Sequence, residues 1–320
     1  MIDHVIIMAA SPSRGMEPLT RTRPKAMLPI LGMPMIARVM DDYYKAGIRR
    51  FTVVVGEQEG AAAAWLSTQW HKDIQLQFAP QGHMRGTAST LFATRALIDG
   101  PVIIAPCDVL VPEEHVKRIA TYFETHPSDA AVLSLHYAPD DIAFGASVFL
   151  DPRGNVMYIS ETPTGAHQDN MTALPVYAFT PKVLEYLDRV PVREESGERV
   201  LASAIQSMID SGQVVGALET GWRVRLNEPE DILTACILLM ARYEQPVLGS
   251  AIGDTVTIIP PVHVDAGVTV GAGSKLGPNV YLETGTVLES NTAISESVIL
   301  ARRIGSGKSI SREVVSKDRV

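Results

Sequence analysis

Cysteine, aromatic residues and positive charge are all sparse in this chain of 320 residues, and long apolar runs are missing. The two cysteines, Cys107 and Cys236, each sit inside an apolar segment. That argues against a disulfide-stapled secreted scaffold and for buried, reduced thiols in an intracellular protein. Lys and Arg number 28 against 36 Asp and Glu, a net charge of −8. A nucleic-acid partner held through its phosphates needs a basic surface to release counterions, so this balance speaks against one. A small anionic ligand is compatible with it, because a few local cations can dominate the field inside one cleft. No stretch reaches the roughly 20 apolar residues that span a bilayer, and no basic n-region leads into an apolar h-region. The sequence therefore reads as a soluble, cytoplasmic protein without a membrane partner. Hydrophobic residues at 46% supply ample core, and the length suits two domains.

Short apolar or β-branched runs lie at 4–10 (HVIIMAA), 51–55 (FTVVV), 74–79 (IQLQFA) and 102–106 (VIIAP). Helical patterns separate them, which is the alternation of a largely parallel sheet covered on both faces. Met35, Ile36, Val39, Met40, Tyr43 and Tyr44 form one such stripe, ended by Gly47. A further helix is predicted over 113–124. From 130 onward the pattern becomes α+β, with strands in AAVLSLHYA, SVFLD, NVMYIS and ALPVYAF. Polar stretches at 160–172 and 193–198 read as loops, the first a candidate substrate lid. Asn227 through Glu230 has capping-box spacing with Pro229 near the first helical position, which predicts a helix to about Tyr243. Pro246 and Gly249 mark a boundary.

Beyond it a new period appears. Ile252, Ile258, Val264, Val270, Leu276, Leu282, Leu288, Ile294 and Leu300 are spaced by six, and small or β-branched residues precede them by two positions: Val256, Val262, Val268, Ser274, Val280, Thr286, Thr292 and Val298. Both sets are expected to point inward, in short strands folded around a triangular prism whose rungs bury their aliphatics by stacking. Such hexapeptide repeats resemble the left-handed parallel β-helix. The predicted organisation is an α/β domain over 1–245 followed by a β-helix over 250–310, an element that can also pair chains into a homo-oligomer.

The loop leaving the first strand, MAASPSRGMEPLTRTRPKAMLPILGMPMI at 8–36, lies where ligands bind in open α/β sheets. Backbone N–H groups in such a loop can hold a triphosphate, and Arg14, Arg21, Arg23 and Lys25 add charge to neutralise it. Lys25 is framed by Pro24 and the apolar AMLPI, which pre-sets its direction. No histidine pair has metal-ligand spacing, and His83, His167 and His263 read as surface or packing residues.

On these residues the chain resembles the sugar-1-phosphate nucleotidyltransferases, or nucleotide-sugar pyrophosphorylases. Their opening L-A-A-G-x-G-x-R-[ML]-x-P-L-T-x-x-x-P-K-x-[ML]-L-P-[IV]-x-G-x-P-[ML]-I is matched without gaps at Ala9, Ala10, Met16, Pro18, Leu19, Thr20, Pro24, Lys25, Leu28, Pro29, Gly32, Pro34 and Ile36. The appended repeat resembles the β-helix that many of these enzymes carry. The resemblance implies a Rossmann-like nucleotidyltransferase domain in which a sugar 1-phosphate attacks the α-phosphorus of a nucleoside triphosphate, releasing pyrophosphate. It implies that Ala9 and Ala10 meet the base, that Gln81 and Gly86 read its edge, and that Thr87 and Ala88 complete a G-T-A signature. Lys25 matches the lysine that holds phosphate, Asp108 the aspartate that binds Mg²⁺, and Gly145 and Glu161 the residues that contact the sugar.

Several family positions differ. The two glycines of the opening motif are Ser11 and Ser13, with Pro12 between them. Serine disfavours φ > 0, and Pro12 has no N–H to offer. The motif arginine aligns with Gly15, leaving adjacent Arg14 as the candidate replacement. In the E-K-P stretch, Thr162 follows Glu161 and removes a cation. In N-A-G-I-Y, here Ala173 through Tyr177, the asparagine is lost. Counted back from Pro229, the second metal-binding aspartate is Arg225, whose guanidinium would repel Mg²⁺ unless Asp231 or Glu228 supplied the ligand. Two readings stay open: an active nucleotidyltransferase with shifted ligands, or a catalytically degenerate regulatory subunit that binds a nucleotide or nucleotide sugar. An acyltransferase site in the β-helix is disfavoured, because three coils leave little room for a cofactor cleft.

Overall fold

The computed structural model describes residues 1–10, 15–82, 86–137, 145–161, 171–194 and 197–316. By their contacts these group into two compact units, Met1–Ser11 with Val39–Arg223, and Pro12–Arg38 with Val224–Val320.

The first unit is built on a nine-stranded sheet. Its strands are β1 (His4–Met8), β2 (Arg50–Val55), β3 (Gln75–Pro80), β4 (Val102–Pro106), β5 (Ala131–Tyr137), β6 (Ala146–Leu150), β7 (Val156–Ser160), β8 (Met171–Phe179) and β9 (Val215–Glu219). The order is β7-β6-β8-β4-β1-β2-β3, with β5 pairing both β8 and β9. β1 runs parallel to both neighbours, and β2 to β3. Every residue of β1 and β4 is buried, the condition of a parallel strand covered on both faces. The change of pattern after residue 130 is a change of direction, since β8 is antiparallel to β4, β5 and β6. Along one edge it pairs β5 throughout, with a register shift between Ala173 and Tyr177, and along the other it pairs β6 at Met171–Ala173 and β4 at Tyr177–Phe179.

Helices α1 (Met35–Lys45), α2 (Gly60–Gln69), α3 (Thr87–Ala93), α4 (Glu113–Thr125), α5 (Leu184–Leu187) and α6 (Leu201–Asp210) follow in chain order. The stripe predicted for α1 is buried at Met35, Ile36, Val39, Met40 and Tyr43. It stops there, because Tyr44 stacks at the surface on His71, ring centroids 3.6 Å apart. Gly47 ends the helix at φ +97°, while Ile48 N–H bonds Tyr43 O. Buried residues of β1, β4, β5 and β8 pack with Leu201, Ile205 and Met208 of α6 into one apolar core.

The second unit contains three parallel sheets that share one core. Val262–Val264, Val280–Leu282, Ser297–Ile299 and Val314–Val315 stack in one sheet. Thr257–Ile258, Lys275–Leu276, Ala293–Ser295 and Ser309–Ser311 stack in the second, and Thr269–Val270, Val287–Leu288 and Arg303–Ile304 in the third. This is the prism expected of the left-handed β-helix. The small inward residues also serve, since the buried hydroxyls of Ser274, Thr286 and Thr292 donate to the backbone carbonyls of Glu289, Ala301 and Glu289 respectively.

The six-residue period does not hold to its end. Val264 pairs Leu282, eighteen residues on, but Leu282 pairs Ile299, seventeen on, and Leu288 pairs Ile304, sixteen on. Ile299, not Leu300, therefore stacks on Leu282. The cause is two shorter corners. Three residues, Gly277, Pro278 and Asn279, separate Leu276 from Val280, where two, Ser295 and Glu296, separate their partners Ile294 and Ser297. Four residues, 283–286, then separate Leu282 from Val287, where three, 300–302, separate their partners Ile299 and Arg303.

Helix α7 (Pro229–Met240) belongs to this unit and packs on the strands Ser297–Ile299 and Val314–Val315. Its capping box lies one residue later than the sequence spacing suggests. Glu228 is the N-cap and Asp231 the reciprocal partner, its carboxylate accepting the N–H groups of Asn227 and Glu228 at 2.7 and 2.8 Å. Residues 29–34 form a hairpin, Pro29–Ile30 against Met33–Pro34. Both turn residues have φ > 0, Leu31 at 49° and Gly32 at 78°, the geometry of a two-residue type I′ turn. Leu31 is a costly residue there. Its burial, and two hydrogen bonds from Arg38 to Ile30 O and Leu31 O at 3.0 and 2.9 Å, offset that cost.

Candidate functional site

Parallel strands β1, β2, β3 and β4 bring their carboxyl ends to one edge of the first unit, the place where ligands bind in open α/β sheets. Ala9 continues β1, donating its N–H to Val54 O at 2.9 Å, and Gln81 continues β3, donating to Val55 O at 2.8 Å. Cys107 continues β4, donating to Met8 O at 3.0 Å, and Asp108 follows it, 4% exposed. These three extensions bring Ala9, Ala10, Gln81 and Asp108 to the same edge. Beside Ala10, Gly56 is closely packed: a Cβ there would lie 2.8 Å from a Glu59 side-chain oxygen and 3.4 Å from Ala10 Cβ. The buried Glu59 carboxylate accepts Gly56 N–H at 3.0 Å, and desolvation pushes its pKa up. No signal in the sequence singles out Glu59.

The G-T-A residues at the start of α3 have distinct structural duties. Thr90 on α3 donates to the Gln81 side-chain oxygen at 3.0 Å, which orients the amide. Gly86 has φ +101°, and a Cβ would meet Arg199 O at 2.2 Å. Thr87 Oγ1 accepts Leu201 N–H at 2.9 Å, and Ala88 N–H bonds Arg199 O at 3.0 Å. Glycine is needed here because two backbones touch, and the threonine hydroxyl ties α3 to the start of α6.

On the same unit, Gly145 immediately precedes β6, where a Cβ would fall 2.2 Å from Thr172 Cγ2 and 2.5 Å from Ala173 O. Glu161 immediately follows β7 and pairs with Arg193 at 3.0 Å, both partly exposed. Sequence reading missed Arg193, which is distant in the chain and lies in a polar loop without a motif. It brings a guanidinium to the very residue after which the family's lysine is replaced by Thr162.

In the second unit, Lys25 is 6% exposed and opens a 3-10 turn, Lys25–Met27, behind Pro24 at φ −64°. Arg23 departs from expectation. Its guanidinium forms a two-pronged ion pair with Glu283 on the β-helix, one arm at 2.9 Å, so its charge is met within the protein. Arg21 is largely exposed, 3.9 Å from Glu17. Arg225 also belongs to this unit. Ser11, Ser13 and Arg14 lie outside the described residues, as do His83, His167, Thr162 and most of the candidate lid.

Asp231, the nearby carboxylate that could replace the ligand lost at Arg225, is committed to the α7 cap. Among the described residues no group of three or more His, Cys, Asp or Glu is placed to hold a metal. The family metal position that keeps its carboxylate is Asp108. That fits a Mg²⁺ ion that takes its remaining ligands from phosphate and water, and it does not fit an all-protein cage. Both cysteines are buried and unbridged, and burial pushes the Cys236 thiol up to about 12. Among the described residues no helix is long and apolar enough to cross a membrane.

The model of the nucleotidyl transferase family matches residues 4–223. The chain belongs to that family. It is 25% identical over 262 residues to the bifunctional protein GlmU of Methanocaldococcus jannaschii, covering 82% of this chain and 60% of that protein. It is 24% identical over 228 residues to the UTP–glucose-1-phosphate uridylyltransferase AglF of Haloferax volcanii, covering 71% of this chain and 92% of that one. This chain thus spans less than two thirds of the GlmU relative's length. A UDP-glucose pyrophosphorylase solved with UDP-glucose shares the fold, with a TM-score of 0.66 at 17% identity over 76% of this chain and all of that one.

Proposed function

We propose that this protein is a cytoplasmic sugar-1-phosphate nucleotidyltransferase, joining a nucleoside triphosphate to a sugar 1-phosphate with release of pyrophosphate. The observation that carries this reading is the convergence of Ala9, Gln81 and Asp108 at the carboxyl ends of neighbouring parallel strands, each at its family motif position. In the reaction an oxygen of the sugar phosphate forms a bond to the α-phosphorus, and the bond from that phosphorus to the β-phosphate bridge breaks, its electron pair leaving with pyrophosphate. Little covalent work falls to the protein, so positioning and charge neutralisation set the rate.

In this reading the backbone at Ala9 and Ala10 meets the base, and Gln81, held by Thr90, reads its edge with Gly86, while Thr87 ties α3 to the start of α6. Ser11, Ser13 and Arg14 are assigned the triphosphate, and Lys25 neutralises its charge. Gly145 and Glu161 contact the sugar, with Arg193 orienting the Glu161 carboxylate. Mg²⁺, held by Asp108 and phosphate oxygens, would withdraw charge from the triphosphate. Partners are the two substrates and a second copy of the chain through the β-helix.

A second reading is favoured by the capping role of Asp231 beside the substitution at Arg225: a subunit that binds nucleotide without turnover. Pyrophosphate release over a panel of nucleoside triphosphates and sugar 1-phosphates, with Mg²⁺, separates the two. Turnover abolished in Lys25→Ala and Asp108→Asn, with the sugar-phosphate KM raised in Arg193→Ala, supports the transferase. Thermal stabilisation by nucleotide with no pyrophosphate released supports the subunit.

A further inference from the structure

We propose that the β-helix is a positioning device for Lys25, with Arg23, Glu283 and Tyr281 as the positioning residues. The proposal rests on the reading of Lys25 as the phosphate-holding group. Lys25 stands between two tethers, and every residue concerned lies in the second unit. On one side is the Arg23–Glu283 pair, whose side chains are 22% and 14% exposed. On the other, Gly32 N–H donates to the Tyr281 hydroxyl at 3.1 Å, which donates in turn to Asp265 at 2.9 Å. Asp265 is itself held, since it accepts Thr284 N–H at 3.1 Å and its other oxygen lies 3.2 Å from His263. Gly32 has φ +78°, which favours glycine, and a Cβ there would come within 2.8 Å of that second oxygen.

The segment between the tethers has little freedom. Pro24 fixes one φ, Met27 N–H bonds Pro24 O and Leu28 N–H bonds Lys25 O at 2.9 and 3.0 Å, and Leu28 and Ile30 are fully buried. The hairpin and the two Arg38 bonds close it. A lysine carries its charge on a flexible four-carbon stem. Fixing the backbone at both ends limits where its ammonium can reach, and displacement by about 1 Å can cost 100-fold in rate. Arg23, two residues away, is the cation that holds the segment, and Glu283 is the reason it does not compete for phosphate. Glu283, one residue past the inward Leu282, thus has a specific task.

The test uses the full chain and the variants Glu283→Gln, Tyr281→Phe and the charge-reversed pair R23E/E283R. Hydrogen exchange is followed in amides 25–33, and Lys25 acylation is followed with and without each of ATP, GTP, CTP and UTP. Pyrophosphate release gives kcat and KM for the triphosphate. The expected result is about a 10-fold rise in exchange over 25–33 in Glu283→Gln with exchange in the main sheet unchanged. With it should come a loss of nucleotide protection of Lys25 and a fall of about 10- to 100-fold in kcat/KM. Tyr281→Phe should show a smaller effect of the same kind, and R23E/E283R should recover both.

Faster exchange with nucleotide protection and kcat/KM unmoved overturns the proposal, as does unchanged exchange in Glu283→Gln. If the wild-type chain releases no pyrophosphate but nucleotide still protects Lys25, the transferase reading fails alone and the protection assay decides the positioning. If no triphosphate protects Lys25 in the wild type, the proposal falls with its premise.

Discussion

The two units place their residues by opposite means. The sheet unit gathers Ala9, Gln81 and Asp108 from distant parts of the chain, using the shared polarity of parallel strands to bring their ends to one edge. The prism relies on contacts between residues eighteen or fewer apart, each coil resting on the last. A lesion in the sheet unit should therefore spread through one cooperative core, whereas a lesion in the prism should act on its neighbouring coils first. All three tryptophans, Trp65, Trp70 and Trp222, lie in the sheet unit. Tryptophan fluorescence thus follows one unit and far-ultraviolet circular dichroism follows both.

The largest effect is expected from Gly277→Ala. Its φ is +105°, and a Cβ would lie 1.8 Å from Ile259 O on the preceding coil. Backbone strain and overpacking together should cost about 4 kcal/mol, seen as an early dichroism transition in urea with the tryptophan transition unmoved. A single coincident transition in both signals would break the distinction drawn here. Leu276→Ala should follow at about 3 kcal/mol, because it removes a fully buried side chain paired with Ile294. The early transition should again be the affected one.

Acid should act on the other unit. Burial lowers the pKa values of His4 and His115 to about 4. Each neutral ring contacts a hydroxyl, Thr52 at 2.9 Å and Ser134 at 2.8 Å. Between pH 6.5 and 4 the unfolded chain binds protons that these folded rings refuse, so stability falls as pH drops through that window and is fully present above it. A loss of about 1–2 kcal/mol per histidine is expected in the tryptophan-detected midpoint, and Thr52→Val should shift the midpoint at neutral pH without removing the acid response. The smallest effect is that of Asp231→Ala, which removes the α7 capping box and should cost about 1 kcal/mol in the dichroism transition.

Much of the architecture was legible because it rests on local periodicity. The four parallel strands are apolar runs between helical stripes, and the prism is a repeat that needs no tertiary knowledge to see. Its last coils were misread at Leu300, since a corner can lose a residue while both Ile299 and Leu300 stay buried. The cap of α7 lies one residue beyond the expected place, because Asn227/Glu230 and Glu228/Asp231 have the same spacing and only hydrogen bonds choose between them. In the candidate site, what failed was partner choice. Arg23 reads as a phosphate cation by its neighbours in sequence, yet its partner Glu283 is 260 residues away. Arg193 carries no motif at all, and only folding brings it to Glu161. The grouping of residues 12–38 with the C-terminal part of the chain was equally hidden, since chain order suggests a boundary near 245.

The shortening of the coils from eighteen residues to sixteen has a use in engineering. A duplicated eighteen-residue turn matches its neighbours in register when spliced ahead of Leu282, where successive partners still keep that interval. Past Ile299 successive partners keep an interval of sixteen, so the same insert would carry two residues more than the coils there hold. The change of interval therefore marks the eighteen-residue coils as the place where the column accepts a duplicated turn.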